Sequence, residues 1–198
     1  NGTVRYRDEA SDLDMVFENV DIAAAMPSAD APLTATIGFV TRGQSANGEV
    51  ELASIPQLLA GEMTGVSVTA ELGQNSVSFT GDVSSQGVVQ GDFSAALPAP
   101  DALLAFAGTP GSALPADILP IEASGALAGT PEEISIGGGT YRLGVNRFQG
   151  PITVALDEVP FVTAQLNGGA LDLSFLAAEE GCATGDAPAA EGKGWSTD

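Results

Sequence analysis

Histidine is absent from the 198 residues. Its absence removes every Ser-His, Cys-His and His-metal arrangement from consideration. Cysteine occurs once, as Cys182, so neither an intrachain disulfide nor a multi-thiolate metal site can form. A lone cysteine fits a periplasm and a cytoplasm equally well. Lys193 is the one lysine, and it stands in a polar tail. No apolar run approaches the roughly 18 residues of a membrane span. No signal peptide is seen and residue 1 is asparagine, so the chain reads as a piece of something longer, with any anchor or targeting signal elsewhere.

Basic residues are scarce as well. Six face 26 acidic ones, for a formal charge of −20. Such a chain repels nucleic acid phosphates and has no basic stripe to neutralise them. Peripheral binding to an anionic membrane is disfavoured for the same reason. Solubility or a saline habitat accounts for the charge without any partner. Apolar residues make up 44% of the chain, more than a disordered acidic polymer carries and enough to bury a core.

What is present is alternation. Val66, Val68, Ala70 and Leu72 share one parity, with Ser67, Thr69 and Glu71 between them. Val77 and Phe79 repeat it, as do Phe93, Ala95 and Leu97, then Ile152, Val154 and Leu156, then Leu171, Leu173 and Phe175. Period two is the mark of a strand with one apolar and one polar face. Many such strands between Gly, Asn, Pro and Ser turns predict a mainly β fold. The expected form is a largely antiparallel curved sheet, trough-like or sandwich-like, with one or two short helices. The helical stretches are Pro56 to Ala60 and Asp101 to Ala107, the second capped by Asp101 and stopped by Gly108.

Residues 1–178 read as one β-rich segment, with a weak lobe division near 107–119 where Pro, Gly and Ala collect. Residues 179–198 read as an acidic, Ala/Gly-rich tail or linker that Trp195 anchors in part. Asn1-Gly2-Thr3-Val4-Arg5-Tyr6 echoes Gly138-Gly139-Thr140-Tyr141-Arg142-Leu143, which suggests strand pairs laid side by side.

Chemical motifs are few. Gly137-Gly138-Gly139-Thr140 lacks the following helix and the lysine of a phosphate loop and reads as a turn. Asp8, Glu9, Asp12 and Asp14 supply oxygens of the kind calcium takes, but not in an EF-hand order, and read as a solvated loop. With one Trp and two Tyr there is little to stack on sugar rings beside a carboxylate pair. No catalytic, cofactor or metal residues are assigned, and the chain is expected not to be an enzyme.

Several segments, in order, resemble the AsmA-like family. Asn1-Gly2-Thr3-Val4-Arg5-Tyr6-Arg7-Asp8 is similar to its opening strand, a glycine turn followed by alternating apolar and aromatic residues up to an aspartate. Phe17-Glu18-Asn19-Val20-Asp21-Ile22 and Ala31-Pro32-Leu33-Thr34-Ala35-Thr36 resemble its second and third strands. Gly91 to Leu97 followed by Pro100 to Phe106 resembles a strand-then-short-helix unit. Gly150-Pro151-Ile152-Thr153-Val154 through Ala170-Leu171-Asp172-Leu173 resembles the closing strands. The likeness covers about residues 1 to 176.

The resemblance implies a periplasmic location, an inner-membrane anchor outside this chain, and a part in lipid transport or outer-membrane upkeep. It also implies a long curved sheet with an apolar concave face. On that footing Val77, Phe79, Phe93, Ile152 and Val154 are expected to face lipid, with acyl chains, and other envelope proteins, as partners. Alternation is equally the pattern of a packed core, the commoner fate of such residues. Two rival readings are a structural scaffold in the periplasm and a secreted β-rich adhesion module.

Overall fold

The computed structural model describes residues 2–8, 13–106, 114–156 and 159–172. The fold is mainly β, a single open antiparallel sheet of twelve strands. The strands are β1 (Gly2–Asp8), β2 (Leu13–Ala25), β3 (Leu33–Thr41), β4 (Gln44–Leu52), β5 (Thr64–Leu72) and β6 (Asn75–Val83). Then come β7 (Val89–Leu97), β8 (Ile121–Gly129), β9 (Glu133–Leu143), β10 (Asn146–Ala155), β11 (Phe161–Ala164) and β12 (Asn167–Gly168). From β1 to β11 the order in the sheet is the order in the chain, and β12 pairs with β10. The architecture is therefore one continuous sheet and not a sandwich. Strands β7 and β8, on either side of residues 107–119, pair from Val89↔Gly129 to Leu97↔Ile121, so the sheet runs on across that stretch.

Tight turns set the register. Arg42 and Gly43 both have positive φ, 48° and 75°, the geometry of a type I′ hairpin between β3 and β4. Gly73 and Gly144 open two further two-residue turns at φ 61° and 60°, where a left-handed residue is needed first. All three turns lie at the same end of the sheet, here called the turn end.

Two short helices interrupt the strands. α1 (Ile55–Leu59) sits between β4 and β5 at the opposite end. Ser54, not seen from sequence as its cap, accepts from the Gln57 N–H through its side chain at 3.3 Å, and Pro56 stands in the first turn, where a missing N–H costs nothing. α2 (Asp101–Phe106) follows β7. Asp101 is its first helical residue and not its cap, and the Leu104 N–H donates to the Pro100 carbonyl at 3.0 Å. A short 3-10 turn, Ala116–Ile118, occupies part of the Pro-rich stretch expected to be loop.

Two sequence expectations are corrected. Gly137-Gly138-Gly139 is no turn between strands. It lies inside β9, where Gly138 has φ 61° and the register slips by one residue against both β8 and β10. One extra residue is absorbed as a bulge, which bends the strand without ending it. Leu171 belongs to no strand, although it alternates with Asp172; Leu173 and Phe175 lie outside the described residues. So do Cys182, Lys193, Trp195, the predicted stop at Gly108, and Glu9 and Asp12 of the acidic cluster.

Candidate functional site

Register sorts the strand side chains into two faces. Val50, Val68, Phe79 and Phe93 stand opposite one another in one row across β4 to β7. Gly91, Leu127, Ile136, Ile152 and Ala164 form another across β7 to β11. Side chains alternate along each strand, so both rows lie on one face. The five residues expected to face lipid are all on it. Val77, Phe79 and Phe93 form one group. Ile152 and Val154 lie across the same surface on β10, four strands from β6, which is roughly 19 Å at about 4.8 Å per strand.

The opposite face is polar and acidic. Glu49, Glu51, Glu71, Asp82, Asp92 and Glu122 all fall on it by the same register. Ser78 and Ser94 pair there, with hydroxyls 2.8 Å apart. Arg142 and Glu122 form an ion pair at 3.3 Å, exposed and therefore of little energetic weight. Every one of these acids is separated from the apolar face by the thickness of the sheet.

The apolar face is not sealed. Among the described residues, only Met15, Ala46 and Leu72 are buried hydrophobics. Val77 keeps 43% of its surface exposed, and Phe79, Phe93, Ile152 and Val154 are half-buried. The inner face of a sandwich or a filled barrel holds its residues well below that. Neighbours in a row cover the flanks of each side chain, and their tops stay open.

Glycines shape this face. A Cβ on Gly81 would lie 2.5 Å from the Gly91 Cα, and one on Gly91 would lie 2.6 Å from the Gly81 Cα. The strands approach so closely at this pair that only hydrogen fits on the apolar side. Aromatic rings occupy the space that glycine leaves. A Cβ on Gly91 would come within 2.9 Å of Phe79 Cζ, and one on Gly139 would meet the Tyr141 hydroxyl. Phe79 and Tyr141 thus lie along the sheet instead of standing off it. The Tyr141 hydroxyl is buried without a hydrogen-bond partner, and loss of solvation raises its pKa above the ordinary 10.0.

α2 covers the turn end of the face. The Phe106 ring stacks on Phe39 at 6.5 Å, and Phe39 meets Phe17 edge-on at 5.2 Å. Asn75 holds the link that carries α2. Its side chain is 98% out of solvent by burial, at 2% exposure. It donates to the Ala99 carbonyl at 2.8 Å and the Leu72 carbonyl at 3.1 Å, and accepts from the Ala99 N–H at 3.1 Å. Between α2 and the sheet lies an apolar cavity of about 250 Å³, walled by Ile37, Phe39, Leu72, Val77, Leu103 and Phe106 among others.

Sequence reasoning missed Asn75, which opens a strand after Leu72-Gly73-Gln74. It also missed Asn146, which follows Leu143-Gly144-Val145 and clamps Asp172 in the same manner, donating at 2.8 Å and accepting at 2.7 Å. The repeated Leu-Gly-x-Asn was the available signal. Among the described residues, no group of three metal-ligating side chains converges and no helix is long and apolar enough to cross a membrane. No protein-family model, curated protein or solved structure matches the chain.

Proposed function

We propose that this chain is a non-catalytic lipid-handling segment whose open apolar sheet face lies against phospholipid acyl chains. The class is that of a hydrophobic trough. More particularly, it is an AsmA-like envelope segment, periplasmic and tethered to an inner membrane through sequence outside these residues. It serves lipid transport or outer-membrane upkeep. The observation that carries the proposal is the segregation of side chains: an incompletely covered apolar face spans the sheet while the strand acids named above sit on the other side. The ordered resemblance of residues 1 to 176 to that family supports the same reading.

The energetics need no catalytic group. Each methylene withdrawn from water is worth about 0.8 kcal/mol, so a trough of this kind holds a chain by area alone. A face left bare at Gly81 and Gly91, with Phe79 lying over Gly91, offers a smooth surface to such a chain.

Native mass spectrometry of the protein purified from a Gram-negative periplasm, with lipid extraction of the same sample, tests this. Near-stoichiometric phospholipid, lost in folded Phe79→Asp or Phe93→Asp variants, is expected. A lipid-free mass together with no uptake of labelled lipid from vesicles would sink the proposal.

A further inference from the structure

The turn end of the trough carries a second cavity, of about 430 Å³, beside the apolar one. Its walls are of another kind: Thr41, Arg42, Gln44, Gln74 and Asp101 line it together with apolar residues of α2. The two cavities share Leu72 and Phe106. One compartment is hydrocarbon-like and its neighbour adds charged and amide groups to a wall that is otherwise apolar, which is the division within a single amphiphile.

Charge is the second observation. Arg42 stands in the turn between β3 and β4 and lines this cavity. Arg42 donates to the Ala105 carbonyl of α2, which places its guanidinium at the mouth of the cavity. Guanidinium groups recognise phosphate through paired N–H donors. Asp101 lines the same cavity and supplies the opposite sign.

We infer that the turn end holds one zwitterionic phospholipid, with an acyl-chain end beneath α2, its phosphate at Arg42, and its ammonium at Asp101. This rests on the lipid-handling reading above and adds a headgroup class to it. The overall charge of −20 points the same way. A head with net negative charge is repelled by the whole molecule, whereas a zwitterion is not.

The test offers the full chain vesicles of equal parts phosphatidylethanolamine and phosphatidylglycerol with identical acyl chains, and measures bound lipid by extraction and mass spectrometry. The ethanolamine lipid is expected to be enriched by about tenfold, the effect of one charge-assisted hydrogen bond at a partly exposed site. Asp101→Asn brings the ratio towards one. Arg42→Gln lowers the bound amount of both lipids. Asp101 and Arg42 are exposed, so both variants keep the fold, checked by circular dichroism. Bound lipid without preference, or a preference that Asp101→Asn leaves unchanged, overturns the headgroup site while the trough itself stands. No bound lipid of either kind overturns both.

Discussion

Asn75 and Asn146 hold the same post in two hairpins: each opens a strand after a Leu-Gly-x-Asn turn, and each clamps a backbone segment more than twenty residues further on through a donated and an accepted bond. Both are buried. A carboxamide suits the task because it donates and accepts at once.

Asn75→Ala is therefore expected to lower stability by about 1–3 kcal/mol, since it strands the Ala99 amide and two carbonyls. It should also free α2 from the turn end. Urea unfolding reads the first effect. Faster amide exchange at Leu103 and Leu104 reads the second. Unchanged exchange there would mean that ring stacking, and not the clamp, holds the helix.

Gly91→Ala is expected to cost about 1–3 kcal/mol, as overpacking does. Its new Cβ meets backbone atoms of β6 at 2.4 and 2.6 Å, and backbone cannot rotate away. Gly137→Ala is the control. Its Cβ meets only the Ala126 carbonyl, at 4.0 Å, so a change within about 0.5 kcal/mol is expected. Thermal melts of the pair decide whether the close approach of β6 and β7 requires glycine.

Tyr141 gives a prediction in pH. Its hydroxyl is buried without a partner, and its folded pKa is raised above 10.0 by lost solvation. The folded state thus binds this proton more tightly than the unfolded state. Its contribution to stability is complete below the unfolded pKa and is lost as pH climbs through 10 towards the folded value. Tyr141→Phe should flatten the alkaline loss of stability. At neutral pH it should be neutral or stabilising, because it removes an unsatisfied group. Urea midpoints at neutral and alkaline pH measure both.

Much of the fold was legible before the structure. The alternating runs at Val66, Val77, Phe93 and Ile152 became β5, β6, β7 and β10. The period of two is local, so it survives in sequence. The bulge at Gly138 was not legible, because a bulge is defined by the strand opposite. Leu171 fails for a related reason: alternation shows capacity for a strand, and pairing decides it. Parity grouped apolar residues within each strand, but putting all five on one face took the register between strands, and the openness of that face depends on whether a second layer exists. The second cavity was hidden more deeply, since Thr41, Gln74 and Asp101 meet only through the folding of α2 over the hairpin turns.

The most direct measurement of the central claim is side-chain NMR of the protein with a phospholipid that carries a nitroxide on its acyl chain. Methyl signals of Val77, Ile152 and Val154 are expected to broaden more strongly than those of Thr80 and Thr153, which lie on the acidic face with the sheet between them and the chain. Equal broadening on both faces, or none on either, would contradict an acyl chain lying in the apolar trough.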